Sequence, residues 1–210
     1  MVILGRCLPS PLNVWFYQME GKGRRRNEIK SVLSNLMMAR NLLKNSCGEE
    51  MLEFWELTEN GGSEWKVEPV PGDCGHAFCN EAVSTCFATS FELCLKRQVV
   101  NLVEEGFSTH DLDSQPAVTV EDWYSSRTDC GCVYQLSVSL LDENHEVLQE
   151  FNPEEVTLDP GCSWKQVSHS FTDYGPGLRF ISFEHGGQDT RFWDGWFGVR
   201  VTGSVIRVEI

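Results

Sequence analysis

The amino-acid sequence predicts a mainly β fold, an antiparallel sandwich of the jelly-roll kind preceded by one N-terminal helix. The chain has 210 residues, of which 41% are hydrophobic, so it can bury a core of one domain. Beyond residue 50 the apolar positions recur with a period of two, which is typical of half-buried strands. Turn sequences rich in glycine and proline separate these short runs, as expected for a sandwich.

The N-terminal part of the chain differs in its pattern. Residues 1–26 form an irregular basic leader that includes Arg24-Arg25-Arg26. From Asn27 the apolar residues follow the three-and-four spacing of an amphipathic helix: Ile29, Val32, Leu33, Leu36, Met37, Leu42 and Leu43. Asn27 can cap the start of this helix and Gly48 lies just beyond its end. We therefore predict a helical lead-in over residues 27–47 and a β-sandwich domain over 48–210.

The predicted strands follow in chain order. Their alternating runs are Val118 and Val120 before Trp123; Cys132 to Leu140; Val167, His169 and Phe171; Phe197, Val199 and Val201; and Ile206, Val208 and Ile210. The turns include Asn60-Gly61-Gly62, Pro71-Gly72, Asp159-Pro160-Gly161 and Gly175-Pro176-Gly177. The connection that contains residues 184–198 is predicted to be a hairpin loop of about ten residues.

Charge and hydropathy each exclude one class of protein. The net charge is −14, with +4 in residues 1–50 and −18 in residues 51–210. Nucleic-acid binding requires a basic surface, which this acidic body does not provide. No run of 18 or more apolar residues occurs, so the sequence predicts no membrane-spanning helix.

The nine cysteines predict reduced thiols and a cytoplasmic location. Their number is odd, no secretory signal is present, and no Asn-x-Ser/Thr site occurs. Four of them cluster with His76: Cys74, Cys79, Cys86 and Cys94. Their gaps of four, six and seven residues do not fit zinc modules, so we predict no metal and no cofactor. Cys130 and Cys132 are predicted to pack in the core.

Catalytic motifs are scarce. The sequence has no nucleophile elbow, no phosphate-binding glycine loop and no His-Glu-x-x-His. Glu184, Asp189 and Asp194 lie close in sequence and can act as acid and base at a glycosidic bond, which leaves a glycosidase as one alternative.

Four aromatic residues fall within six positions of the same segment: Phe192, Trp193, Trp196 and Phe197. Trp196 and Phe197 lead into the last strand and are predicted to cover the end of the core. An exposed aromatic platform suits the apolar C–H face of a sugar ring. Spacing alone leaves core cover and sugar platform as equal alternatives for this segment.

Five stretches resemble the F-box-associated (FBA) domain: residues 40–50, 61–68, 122–124, 174–180 and 186–202. They occur in order, span residues 40–210, and are most similar to the sugar-recognising F-box only proteins, the substrate receptors of SCF-type ubiquitin ligases. The resemblance implies a ten-stranded, galactose-binding-like β-sandwich without catalytic activity. It also implies binding to the inner chitobiose of high-mannose N-glycans on misfolded glycoproteins that undergo ubiquitin-dependent degradation (ERAD).

The resemblance also implies the site residues. An aromatic-Trp-Lys triplet in sugar-binding members falls here on Phe192, Trp193 and Asp194, and an early aromatic falls on Phe91, with Phe87 as second choice. Asp194 reverses the charge found in those members, although a carboxylate still accepts hydrogen bonds from hydroxyls. The alternative is an FBA protein-interaction module without sugar binding or ligase assembly.

Residues 1–39 lack the Leu-Pro start and the cysteine-containing helix of an F-box. We therefore expect the chain as written to form no stable complex with a Skp1-type adaptor, because one helix cannot build the adaptor-binding surface. A pull-down with purified adaptor measures this, and a tight complex would show the expectation to be wrong.

Overall fold

Two antiparallel sheets form the body of the protein in the computed structural model, which describes residues 40–73 and 75–210. The first sheet has the order β1-β4-β10-β6-β7, with β8 also paired to β6. Its strands are β1 (Glu56–Asn60), β4 (Cys94–Asn101), β6 (Cys132–Leu141), β7 (Val147–Phe151), β8 (Val156–Leu158) and β10 (Phe180–Asp189). The predicted antiparallel sandwich is therefore confirmed.

The second sheet has the order β2-β3-β11-β5-β9. Its strands are β2 (Lys66–Pro69), β3 (Thr85–Ala88), β5 (Ala117–Ser125), β9 (Lys165–Phe171) and β11 (Arg200–Glu209). A five-residue helix, α1 (Thr109–Asp113), is capped by the Ser108 side chain, which accepts from the backbone N–H of Asp111. In the described part of the chain, no helix is long and apolar enough to cross a membrane.

The strand predictions agree with β5 and β6, whose buried and half-buried residues alternate. They also agree with β9, whose half-buried and exposed residues alternate as far as buried Phe171. The last two predicted runs meet in one strand, β11, which contains Val201, Ile206 and Val208 and continues through a register shift between Thr202 and Val205. Phe197 and Val199 precede this strand, and Ile210 follows it.

The end of the predicted helix is different in the structure. Residues 41–47 form bends and turns, and Leu42 and Leu43 are buried in the core of the sandwich. The backbone N–H of Leu42 donates to the carbonyl of Ile206 on β11, so this segment is fixed to the second sheet. The sandwich unit therefore starts at Asn41. Residues 1–26 and 27–39 of the predicted leader and helix lie outside the described residues.

A chain of buried polar side chains connects the two sheets. Asp122 and Ser204 come from the second sheet, whereas Lys96, Tyr134 and His185 come from the first. Oδ2 of Asp122 lies 2.6 Å from Nδ1 of His185 and accepts from the hydroxyl of Tyr134 at 2.6 Å. Oδ1 of Asp122 accepts from Ser204 at 2.7 Å. Both oxygens of the buried carboxylate are thus satisfied, as burial of a charge requires.

His185 extends this chain to Lys96. An ionised carboxylate only accepts hydrogen bonds, so Nδ1 of His185 donates to Asp122 and Nε2 accepts from Nζ of Lys96 at 2.6 Å. Nζ also lies 3.1 Å from the ring centroid of Trp55 and 3.7 Å from that of Phe87, and these faces stabilise positive charge. Burial lowers the pKa of both Lys96 and His185, while the Asp122 carboxylate opposes the shift.

The lowered pKa of His185 predicts that the protein loses stability in mild acid. Below about pH 6.5, the imidazole takes up a proton in the unfolded chain before it does so in the folded protein. The free energy of unfolding should therefore decrease as the pH is lowered, by at most about 1.4 kcal/mol per pH unit for this one group. Burial also lowers the pKa of His169, so His185→Gln should reduce the slope without abolishing it. Denaturant unfolding between about pH 5.5 and 7.5 measures the slope.

An identical slope in wild type and His185→Gln would contradict the assignment of the acid sensitivity to this histidine.

Candidate functional site

Three loops meet at one end of the sandwich: residues 61–65 between β1 and β2, residues 89–93 between β3 and β4, and residues 190–199 between β10 and β11. We call them the early, middle and aromatic loops. The backbone N–H of Ser63 donates to Oγ of Ser90 at 3.0 Å, and the N–H of Gly198 donates to the Thr89 carbonyl at 3.1 Å. The middle loop therefore joins the other two.

The aromatic loop crosses from one sheet to the other. Its flanking strands, β10 and β11, belong to different sheets, so the prediction of a hairpin is wrong, although the length of about ten residues is right. The loop covers the end of the core and exposes part of its own surface. The side chain of Phe192 is 69% exposed and that of Trp193 is 45% exposed.

The other two rings of this loop support it. Phe197 meets Trp193 edge to face at 5.3 Å, and the Arg127 guanidinium lies 4.5 Å from the centroid of Phe197. Trp196 donates from Nε1 to the carbonyl of Glu64 in the early loop at 3.1 Å. Both Trp196 and Phe197 are partly buried. The aromatic segment thus consists of two projecting rings and two supporting rings.

Asp189 holds the backbone of the aromatic loop from beneath. Its side chain is buried, with 1% exposed. Oδ1 accepts from the N–H groups of Arg191 at 2.7 Å and Phe192 at 2.6 Å, and Oδ2 accepts from that of Trp193 at 3.2 Å. Phe192 adopts a positive φ of 55° within this turn.

These bonds argue against the glycosidase alternative. Both oxygens of Asp189 are occupied by backbone donors and shielded from solvent, so this carboxylate is not positioned to exchange a proton with a substrate. Glu184 lies on β10, where its Oε1 accepts from the hydroxyl of Thr58 at 2.7 Å. In the structure, the Asp189 carboxylate holds the backbone of the aromatic loop.

The structure separates Phe91 and Phe87, the two candidates for the first of the aromatic site residues in chain order, because they differ in burial. Phe87 is fully buried on β3 and packs against Trp55, so it belongs to the core. Phe91 is only partly buried and lies beside Gly62 of the early loop. A Cβ at Gly62 would come within 3.0 Å of the Phe91 ring and 2.4 Å of Oγ of Ser90. Of the two candidates, Phe91 is therefore the one that lies among the loops at this end of the sandwich.

Asp194 is held by the neighbouring residue of the early loop. Oδ1 of Asp194 accepts from Oγ of Ser63 at 3.0 Å, and the same Oγ accepts from the N–H of Gly195 at 3.0 Å. The structure thus places Phe91, Phe192, Trp193 and Asp194 on one cluster of loops. Sequence reasoning missed the connecting role of Gly62, Ser63 and Ser90, because neither the turn at Asn60-Gly61-Gly62 nor the resemblance over residues 61–68 indicates which loops meet.

The cysteine candidates occupy different places. Cys86 on β3 and Cys94 on β4 are buried in different sheets, Cys79 is exposed, and Cys74 lies outside the described residues. Burial raises the pKa of Cys86 and Cys132 to about 12, so these two are protonated core thiols. Within residues 40–73 and 75–210, no group of three His, Cys, Asp or Glu side chains is arranged to hold a metal ion.

The chain is thus an antiparallel β-sandwich that exposes two aromatic rings on the loops at one end. Residues 34–208 match the family model described as the F-box associated region (FBA), and the chain belongs to this family. It is 54% identical to F-box only protein 2 of Bos taurus over 81% of the chain and 59% of that protein. It is 49% identical to F-box only protein 6 of Mus musculus over 82% of the chain and 59% of that protein.

Human F-box only protein 44 is 47% identical over 80% of the chain and 68% of its own length. The chain thus spans about three fifths of the length of the first two relatives. Among solved structures, TmCBM61 in complex with beta-1,4-galactotriose superposes with a TM-score of 0.53 at 16% identity. This match covers 81% of the chain and all of that module, and it shows a shared fold alone.

The contact between the early and middle loops makes Gly62 sensitive to substitution. Gly62→Ala adds a methyl group at φ 60° against Ser90 and Phe91 and should destabilise the protein by about 1–3 kcal/mol through overpacking. Gly161→Ala is the matched control, because Gly161 has φ 81° and open space around its Cβ position. Thermal and denaturant unfolding compare the two. An equal loss in both variants would show that backbone strain, not loop contact, is responsible.

Proposed function

We propose that this chain is a glycan-recognition module that binds the chitobiose core of N-linked glycans at the cluster of early, middle and aromatic loops. The observation that carries the proposal is the pair of exposed rings on the aromatic loop, Phe192 and Trp193, in a member of the FBA family. Such rings stack on the apolar face of a pyranose, while nearby polar atoms orient its hydroxyl groups.

Each predicted residue has a separate task in this proposal. Trp193 and Phe91 stack on the two sugar rings, and Phe192 forms the wall between them and solvent. Asp194 accepts hydrogen bonds from sugar hydroxyls, because Ser63 engages only one of its two oxygens in the described contacts. No step of this mechanism breaks a covalent bond, so the chain acts by binding and not as an enzyme.

The proposed biological role is based on the relatives of this chain, which are F-box only proteins. We infer that the chain selects misfolded, high-mannose glycoproteins in the cytoplasm for ubiquitin-dependent degradation, as the substrate-recognition part of an SCF-type ligase system. Support comes from the relatives, which are F-box only proteins. We assign only the recognition step to the residues of this chain.

One observation favours a second candidate, a protein-interaction module that does not bind sugar. Asp194 places a carboxylate beside the exposed rings, at the position where the sugar-binding members that this sequence resembles carry lysine. This carboxylate is held in place by Ser63, and it cannot supply the positive charge that a lysine side chain would supply at this position. Isothermal titration with chitobiose separates the two candidates, since a flat isotherm at about millimolar sugar would favour the interaction module.

Trp193→Ala tests the site directly. Loss of a ring that is 45% exposed should leave the melting temperature nearly unchanged but abolish measurable chitobiose binding. A lost aromatic contact removes about 0.5–1.5 kcal/mol beyond its area term, which is decisive for a weak sugar complex. Phe54→Ala is the control, because Phe54 is 52% exposed and lies outside the three loops. Undiminished binding by Trp193→Ala would overturn the assignment of the site.

A further inference from the structure

The three backbone bonds accepted by Asp189 are unusual in their position, because they fix consecutive residues that carry the exposed rings. Arg191, Phe192 and Trp193 all donate to this one buried carboxylate. The strand β10 ends at Asp189, so the carboxylate belongs to the rigid sheet while its partners belong to the loop. Asp189 is itself held by its backbone N–H, which donates to Ser90.

Ser63 holds the other side of the same loop. Its hydroxyl donates to Asp194 and accepts from Gly195, so it contacts the two residues that follow Trp193. Between them, Asp189 and Ser63 fix the backbone or side chain of every residue from Arg191 to Gly195. The two exposed rings therefore stand on a backbone that is hydrogen-bonded from both ends.

We propose that Asp189 is a positioning residue for glycan recognition, with Ser63 as its partner on the opposite side of the loop. The inference rests on the proposed function. Asp189 does not touch the sugar; it holds Phe192 and Trp193 in the binding arrangement before the glycan arrives. A loop ordered in advance loses less conformational freedom on binding, so the same contacts give higher affinity.

The chemistry of the acceptor explains why aspartate is required. Three N–H groups point at two oxygens, and a carboxylate offers acceptor sites on both. Asparagine has nearly the same shape but one acceptor oxygen, and its NH₂ group would face an N–H donor. The variant Asp189→Asn therefore breaks at least one of the three bonds with little change in volume.

The experiment compares Asp189→Asn, Ser63→Ala and a matched control in the full chain. Asp142→Asn is the control, because Oδ1 of Asp142 also accepts two backbone bonds, from Asn144 and Glu146, in a turn between β6 and β7. Calorimetry with chitobiose measures affinity. Amide hydrogen exchange measures the protection of residues 191–195 and, for comparison, of β6.

We expect Asp189→Asn to weaken chitobiose binding about tenfold or more and to speed exchange at residues 191–193, with protection of β6 unchanged. Ser63→Ala should give a smaller effect of the same kind, centred on Gly195. Asp142→Asn should match the wild type in both measurements. A residue with a purely structural role would lower protection throughout the sandwich instead of in the loop alone.

Wild-type loop protection in Asp189→Asn would overturn the proposal, and so would faster loop exchange with unchanged affinity. If Asp189→Asn fails to fold, Ser63→Ala decides between the same outcomes, since it removes only one hydroxyl group. If the wild type itself fails to bind chitobiose, the proposed function is wrong. Hydrogen exchange then still shows whether Asp189 orders the loop.

Discussion

The hydrogen-bonded chain from Asp122 through His185 to Lys96 is the interaction on which the arrangement of the sandwich depends. It runs from β5 in the second sheet to β10 and β4 in the first, entirely within the core. Apolar contacts between two sheets allow small shifts, because hydrophobic burial is not directional. Hydrogen bonds between buried polar groups do not allow such shifts, because a group that loses its partner stays unsatisfied in a medium of low dielectric. The polar chain therefore fixes how the two sheets face each other.

This constraint reaches the loops through the same two strands. The middle loop leads directly into β4, two residues before Lys96, and the aromatic loop begins after β10, whose last residue is Asp189. His185 and Asp189 are four residues apart, so both side chains face the core, separated by about 13 Å of strand. Between them, a Cβ at Gly186 would lie 1.9 Å from the carbonyl of Cys94, so only glycine allows β10 this close to β4. The buried chain and the site thus share one rigid element.

The same polar residues explain which parts of the fold the sequence predicts. Alternation identifies β5, β6 and β9, because their inward positions are mostly apolar. It does not identify β4 and β10, whose buried positions include Lys96 and His185. Local sequence patterns also cannot predict the contacts within the site, because residues such as Ser63 and Asp194 are 131 positions apart in the chain. Resemblance to the FBA family supplied Phe91, but only its exposure in the structure separates it from buried Phe87.

A buried polar chain rarely maximises stability, because apolar side chains of similar volume often stabilise a core equally well or better. Its presence here is better explained by what it holds in place. A sugar offers few apolar contacts, and each stacked ring contributes only about 0.5–1.5 kcal/mol beyond its area. Ordering even one flexible residue on binding costs about as much, roughly 1–2 kcal/mol for its backbone. Under the proposed function, recognition of a glycan through Phe192 and Trp193 therefore requires that their loop be ordered during folding. The bonds from Asp189, built on a strand fixed by His185, provide that order.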